Sequence, residues 1–239
     1  MKRDLAFLDL LRIIAALAIS CFLHFKDHLI PAFGVEMPFS DNWPITWLAS
    51  RSATFVELFF VISGLLFALF HLQKIRIGEY SFQRFFQKRA LRLYPMVIVT
   101  TLYIYVVQNV LYWGTGETWS VSGTVKLWPA LRAMLSCGWP AGGPNGPTWY
   151  TSVLLICTLL AFPLAKLYDR FRFAFVIPVV IGAICPYDPG GTFKCARGLA
   201  GFFVGVGLGI LMQRLEEASQ DRTGQDRTGQ DRTGQDRTG

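Results

Sequence analysis

The sequence predicts an all-α polytopic membrane protein with about six transmembrane helices, a basic cytoplasmic loop and a disordered tail. Its 239 residues are 52% hydrophobic and 15% aromatic but only 16% charged, and the mean hydropathy is +0.38. Soluble domains seldom combine these values. The formal charge of +7 does not indicate a nucleic-acid partner, because the basic residues form short clusters between long apolar runs, as cytoplasmic loops of membrane proteins do.

The predicted spans are the apolar windows that approach the ~20 residues needed to cross a hydrocarbon core. They cover residues 5–25, 53–72, 93–111, 149–165, 173–185 and 198–212, and a short amphipathic helix is expected at 125–134. Small residues in two of these spans predict that some other helix packs closely against each of them. They are Ser63 and Gly64 in the second span and Gly201, Gly205, Gly207 and Gly209 in the sixth.

The basic residues predict the orientation of the chain. Lys2 and Arg3 precede the first span, and the densest clusters fall at 74–92 and 166–172. Six spans with a cytoplasmic amino terminus place all three groups on the cytoplasmic side. We therefore expect an integral membrane protein whose amino terminus is cytoplasmic.

The last segment consists of four copies of Gln-Asp-Arg-Thr-Gly, at residues 220–239. Each copy is polar and ends in glycine, so it cannot bury an apolar face. The sequence predicts a membrane domain at 1–215 and a disordered tail at 216–239. The alternative, a ligand-binding repeat, lacks support because five residues match no known solenoid unit.

Two cysteines flank the loop between the fifth and sixth predicted spans. Cys185 and Cys195 could form a disulfide if that loop faces an oxidising compartment, although nothing in their spacing requires one. Cys21 and Cys157 lie inside predicted spans and are interpreted as small core residues.

The first helix contains two candidate functional residues, Arg12 and His24. Imidazole is the side chain best suited to general base catalysis near neutral pH, although His24 could also be an interfacial residue. His28 lies four positions later, but no acidic or cysteine partner has the spacing of a metal site. We therefore expect no metal.

Arg12 and Glu57 are ionisable residues inside apolar spans, where charge is costly and usually functional. One interpretation is a buried salt bridge between the first two spans. The other is that Arg12 faces a cavity and holds an anionic group, such as a phosphate, or a thioester carbonyl.

Helix geometry makes the spacing of Arg12 and His24 informative. Twelve positions separate them, so in a regular α-helix their side chains point about 120° apart. A π-bulge between Ile13 and Leu23 would absorb one residue and bring the two side chains to the same face.

A basic cluster follows the second span. Lys88, Arg89 and Arg92 share one helix face with Arg84. This face could be a positive-inside anchor, or a site for a nucleotide-like phosphate or for anionic lipid.

Five segments in order resemble the membrane acyltransferase-3 family, which includes O-antigen and other glycan O-acetylases. One is Leu-Asp-Leu-Leu-Arg-Ile-Ile-Ala-Ala-Leu-Ala at 8–18, followed by a histidine. The others are Phe-Val-Glu-Leu-Phe-Phe-Val-Ile-Ser-Gly-Leu-Leu at 55–66, Phe-Phe-Gln-Lys-Arg-Ala-Leu-Arg-Leu-Tyr-Pro at 85–95, Pro-Thr-Trp-Tyr-Thr-Ser-Val at 147–153 and Arg-Gly-Leu-Ala-Gly-Phe-Phe-Val-Gly at 197–205.

The resemblance implies transfer of an acyl group, acetyl above all, from acyl-CoA (acetyl-CoA) to a hydroxyl of a cell-envelope carbohydrate or lipid-linked sugar at the bacterial inner membrane. By motif position His24 would be the catalytic base and Arg12 would position the donor. Glu57 would be the acidic residue of the second helix, and Lys88, Arg89 and Arg92 would contact the donor phosphates.

Two other functions are kept as alternatives. The family usually has about ten spans and six are expected here, so we expect a chain truncated at its carboxyl end, which could be a non-catalytic membrane fragment. A transporter-like protein that uses Arg12 and Glu57 for an anion or proton path is the other alternative, although matching broken helices are not evident. The sequence does not indicate an oligomeric state.

Overall fold

The computed structural model describes residues 6–19, 43–52, 54–116, 126–135, 146–185 and 194–235, and the regular elements in these ranges are helical. We number the α-helices in chain order. They are α1 (Ala6–Ala18), α2 (Trp43–Arg51), α3 (Thr54–Phe67), α4 (Gln73–Arg76), α5 (Phe82–Thr115), α6 (Leu127–Leu135), α7 (Trp149–Leu167), α8 (Val176–Ile184) and α9 (Lys194–Gln235). A π turn, Ala68–Leu72, joins α3 to α4, and a 3₁₀ turn, Gly146–Thr148, precedes α7.

Four helical segments in the described ranges are long and apolar enough to cross a membrane. They are Thr54–Arg76, Phe82–Gly114, Trp149–Leu167 and Cys195–Gln220. These segments confirm the predicted spans at 53–72, 93–111, 149–165 and 198–212.

The other two predicted spans are not confirmed. The span at 173–185 appears as α8, whose nine residues extend only about 14 Å. That is less than half of the ~30 Å hydrocarbon core. The first span is described only as α1, Ala6–Ala18, and its remainder lies outside the described residues.

Helices α3 and α9 form the most closely packed pair. A Cβ atom at Gly64 would lie 1.8 Å from the Phe202 carbonyl oxygen, and one at Gly205 would lie 2.0 Å from the Val61 carbonyl oxygen. Glycine is required where two backbones approach this closely. The prediction of close packing is confirmed at these positions, but it is wrong for Gly207, which faces open space.

Aromatic rings fill the space between this pair and α7. Phe67 packs against Phe85 and Phe202 with ring centroids 6.0 and 5.9 Å apart, and Phe85 lies 5.4 Å from Phe162. Such contacts add to the free energy gained by burying the rings. The aromatic core fixes α3, α7 and α9 as the frame that positions the candidate site.

Helix α5 is longer than the predicted span at 93–111 because it includes the basic segment. Ser81 caps its amino terminus by accepting a hydrogen bond from the Arg84 backbone N–H at 3.3 Å, and Gly116 ends it with φ +71°. Its 34 residues extend about 51 Å. Since a hydrocarbon core is ~30 Å thick, the first turns can lie beyond the membrane with their basic side chains.

The thiols of Cys157, Cys185 and Cys195 are free, so the disulfide considered between Cys185 and Cys195 is not formed. Cys157 is buried, as its interpretation as a core residue requires. Cys21 and Cys137 lie outside the described residues.

Helix α9 continues to Gln235 and runs through the first three repeats. Residues 220–239 contain no large apolar side chain and a glycine at every fifth position. Each glycine costs about 1 kcal/mol in a helix relative to alanine, and most helices depend on packing of an apolar face. Because the repeats have no such face, the disordered tail stays a prediction.

Candidate functional site

Glu57 on α3 pairs with Arg197 on α9. The Arg197 Nε donates to Glu57 Oε1 at 2.5 Å, and Arg197 Nη2 contacts the same oxygen. The glycine-mediated approach of the two helices makes this pair possible, since a Cβ at Gly201 would lie 3.3 Å from the Glu57 carbonyl oxygen. The interpretation of Arg12 and Glu57 as a salt bridge is therefore wrong, because Arg197 of α9 supplies the cation that pairs with Glu57.

The second carboxylate oxygen of Glu57 is unused. Oε2 is buried, and the described residues offer it no hydrogen-bond partner. Leaving a buried acceptor unsatisfied costs about 1–3 kcal/mol, and more for a charged group. Such an atom needs an explanation, and one explanation is that it accepts a hydrogen bond from a substrate hydroxyl.

Two aromatic residues at the start of α7 line the same region. The Arg197 guanidinium lies 5.9 Å from the centroid of the Trp149 ring. The Phe60 ring lies 4.6 Å from that of Tyr150 and 6.2 Å from that of Trp149. Three of the segments that carry the family resemblance thus meet in one place.

Arg12 lies on α1, which packs against α3. It pairs with Asp9 at 3.4 Å and its side chain is 30% exposed. The Tyr150 hydroxyl interacts with the Ser63 side chain and lies within electrostatic range of Arg12. We call Arg12, Glu57, Ser63, Trp149, Tyr150 and Arg197 the Glu57 site.

The two histidines of the first span, His24 and His28, lie outside the described residues. Ile19, which directly follows α1, has π-helical conformation, and it falls within the interval where a bulge was expected. The alignment of Arg12 with His24 stays a prediction. Within the ranges that the structure covers, no three His, Cys, Asp or Glu side chains gather as a metal site.

The basic residues gather at the other end of the segment that contains α3. Arg89, Lys74, Lys88 and Arg92 all lie within electrostatic range of the His71 ring. Lys88 Nζ donates to the Tyr80 hydroxyl at 3.2 Å and lies 5.0 Å from the centroid of that ring. We call His71, Lys74, Tyr80, Lys88, Arg89 and Arg92 the cationic cluster.

The positive charge of this cluster is not balanced by neighbouring acids. Lys74 lies 3.7 Å from Glu79, and no ion pair in the described part of the chain involves Lys88, Arg89 or Arg92. An uncompensated set of cations of this kind attracts phosphate groups.

The two sites lie at different heights along one helical segment. Fourteen positions separate Glu57 from His71, which corresponds to about 21 Å along a helix. A ligand that contacts both sites must therefore be long, with its reactive group far from its anionic group.

Sequence reasoning missed the roles of Arg197, Tyr150 and His71. Arg197 and Tyr150 were part of the quoted motifs, but no local signal pairs Arg197 with a residue 140 positions away. His71 lies beside the basic loop, where an interfacial histidine would also be expected. Its signal was its position between the apolar segment and the first basic residues.

Comparison with family models identifies the family of the chain. A family model described as an acyltransferase domain, Acyl_transf_3, matches residues 5–223 and so includes both sites. Neither a search of curated proteins nor one of solved structures finds a match. Because the family model covers most of the 239 residues, the chain belongs to the membrane acyltransferase-3 family.

Proposed function

We propose that the protein transfers an acyl group, most simply acetyl, from acyl-CoA to a hydroxyl of a cell-envelope carbohydrate. The reaction would take place at the bacterial inner membrane, with the amino terminus and the cationic cluster on the cytoplasmic side. Membership of the family supports an acyltransferase. The donor and the acceptor are those that the family resemblance implies, and the chemistry of the two sites suits them.

The cationic cluster fits the phosphates of the donor. Arg89 is half-buried while Lys88 and Arg92 are exposed, so a ligand that arrives from solvent can contact all three. Guanidinium groups bind phosphate through paired hydrogen bonds and lysine adds a point charge. In acyl-CoA the thioester is at the end of a long arm, far from the phosphates. This suits two sites that are separated along the helical segment Thr54–Arg76.

The Glu57 site fits the acceptor and the reacting carbonyl. In the proposed step the acceptor oxygen attacks the thioester carbonyl carbon, the C–S bond breaks, and the thiolate leaves and takes up a proton. His24 accepts the hydroxyl proton, and Arg12 stabilises the negative charge that develops on the carbonyl oxygen. Glu57 Oε2 accepts a hydrogen bond from an acceptor hydroxyl, and Arg197 holds the carboxylate in place.

The observation that carries the proposal is the buried Oε2 of Glu57, for which the described residues offer no hydrogen-bond partner. The Arg197 side chain that holds the other oxygen lies 5.9 Å from the centroid of the Trp149 ring. Carboxylate oxygens and aromatic rings are well suited to recognising a sugar, which presents hydroxyls and apolar C–H faces. Bulk water does not satisfy Oε2 of Glu57, because this oxygen is buried.

The direct test uses the full chain in lipid nanodiscs with radiolabelled acetyl-CoA and isolated cell-envelope glycans. We expect label in the glycan fraction that alkaline hydrolysis releases, and none with His24→Ala. Unlabelled glycan, together with unconsumed acetyl-CoA, would contradict the proposal.

A second candidate is a membrane chain that acts only with a complementary chain. The spanning part of α5 favours it, because 11% of its most apolar window is buried, against 44% for Thr54–Arg76. This candidate predicts no transfer by the purified chain, with activity restored by a co-purifying membrane protein.

A further inference from the structure

His71 lies inside the cationic cluster, in the π turn Ala68–Leu72. Its ring stacks on Phe67 at 6.1 Å and meets the edge of Phe85 at 5.8 Å, with Tyr80 at 6.1 Å. These three rings hold the imidazole in a fixed orientation. π turns are rare and often occur at functional sites.

The Nδ1 atom of His71 is buried, and the part of the chain that the structure describes provides no hydrogen-bond partner for it. A buried ring nitrogen without a partner is costly, and phenylalanine would pack in this aromatic environment without that cost. The nitrogen therefore indicates a ligand.

The charges around the ring indicate what kind of ligand it is. Four cations lie within electrostatic range of His71, namely Lys74, Lys88, Arg89 and Arg92. Three of them lie over the rings that pack on His71: Lys74 and Lys88 are 5.9 and 5.0 Å from the Tyr80 centroid, and Arg89 is 5.8 Å from the Phe85 centroid. Arg76, the other basic residue of α4, is already held by both carboxylate oxygens of Asp169. The four cations and an imidazole N–H together match a phosphate group, whose oxygens accept several hydrogen bonds.

We infer that His71 is a phosphate-binding residue of the donor site, with its Nδ1–H donating to a phosphate oxygen of the acyl donor. This inference rests on the proposed function for the identity of the donor. The phosphate has two conceivable sources, a nucleotide-type thioester or an anionic lipid headgroup, and we assign it to the donor. Tyr80 positions Lys88 beside the same phosphate through its hydroxyl and its ring.

Two substitutions separate the ligand role from packing. His71→Phe keeps the aromatic contacts and removes the nitrogen, whereas His71→Asn loses the ring but keeps an amide N–H near the position of Nδ1. The test is the binding of coenzyme A to each full-length variant, measured by calorimetry in zwitterionic nanodiscs. We expect His71→Phe to weaken binding about tenfold or more, and His71→Asn to stay within about threefold of the unsubstituted chain.

The opposite order, tight binding by His71→Phe and loss in His71→Asn, would show a packing role and overturn the inference. A second measurement does not depend on any variant: coenzyme A should protect His71 from carbethoxylation, read by mass spectrometry. Unchanged modification of His71 in the presence of saturating coenzyme A would also overturn it.

The source of the phosphate is tested by changing the lipid. If His71→Phe lowers affinity for anionic phosphatidylglycerol vesicles but leaves coenzyme A affinity unchanged, the phosphate belongs to a lipid and the donor assignment is wrong. The affinities for coenzyme A and for the vesicles are both measured without turnover. A failure of acyl transfer with intact, His71-dependent binding would therefore overturn the proposed function and leave this inference standing.

Discussion

The two ends of Thr54–Arg76 hold charge in opposite ways. At the Glu57 site a carboxylate and a guanidinium neutralise each other and one carboxylate oxygen is left over. At the cationic cluster four cations surround a histidine, and Glu79 is the one acid that pairs with any of them among the described residues. The first arrangement suits a neutral, hydroxyl-bearing ligand and the second suits an anion, so the proposed acceptor and the phosphates of the proposed donor belong at different ends.

The largest effect is expected from Glu57→Gln. The amide keeps the shape of the side chain but replaces one oxygen with a donor and removes the charge that Arg197 balances. We expect transfer to fall by about 10²-fold or more, while the affinity for coenzyme A changes by less than about twofold, since the cationic cluster is about 21 Å away.

The measurement is initial-rate kinetics with labelled acetyl-CoA, together with calorimetry for coenzyme A. Arg197→Lys is the companion variant, because it keeps the charge but cannot donate through Nε, and we expect it to lose transfer to a smaller extent. Equal losses of coenzyme A affinity and transfer in Glu57→Gln would remove the distinction between the two ends.

The next effect in size is expected from Arg89→Ala in the cationic cluster. A half-buried guanidinium that donates to phosphate contributes about 1.5–3 kcal/mol, so the KM for acetyl-CoA should rise about 10–100-fold. The maximal rate should change much less. The rise should shrink at high salt, since the interaction with an exposed anion is screened.

Arg172→Ala is the matched control for this variant. Arg172 is exposed in the turn before α8 and belongs to neither site, so its loss should leave the KM unchanged. A similar rise in KM in both variants would mean that general positive charge, and not the cationic cluster, attracts the donor.

A smaller effect is expected from altering the distance between α3 and α9. In Gly205→Ala the new methyl would lie 2.0 Å from the Val61 carbonyl oxygen, whereas at Gly207 it would meet open space. Overpacking costs about 1–3 kcal/mol. Thermal unfolding should therefore occur at lower temperature in Gly205→Ala. In Gly207→Ala it should occur at the same or a slightly higher temperature, since alanine removes the cost of a glycine in a helix.

The same pair of variants connects packing to the Glu57 site. Because Glu57 and Arg197 face each other across the α3–α9 contact, Gly205→Ala should also reduce transfer, with the coenzyme A affinity preserved. Normal unfolding in Gly205→Ala, or equal destabilisation in Gly207→Ala, would contradict the packing of these helices.

Patterns along the sequence predicted four of the spans, the close packing of α3 and of α9 against some other helix, and the basic face of α5, because each depends on neighbouring residues. They did not predict which cation pairs with Glu57, since that choice depends on which helix approaches α3 most closely. Nor did they predict that Gly207 faces outward while Gly205 faces α3. Two positions along a helix change the direction of a side chain by about 200°, and only packing shows which direction is inward.

The smallest effect is expected from deletion of residues 220–239. The tail contains no large apolar side chain to bury, so its removal should change stability by less than about 0.5 kcal/mol. Transfer and coenzyme A affinity should stay the same. Hydrogen exchange of the full chain should be fast at 220–239 and slow in α3 and the apolar part of α9. Slow exchange in the tail, or loss of either activity on its deletion, would show that the repeats pack against one of the two sites.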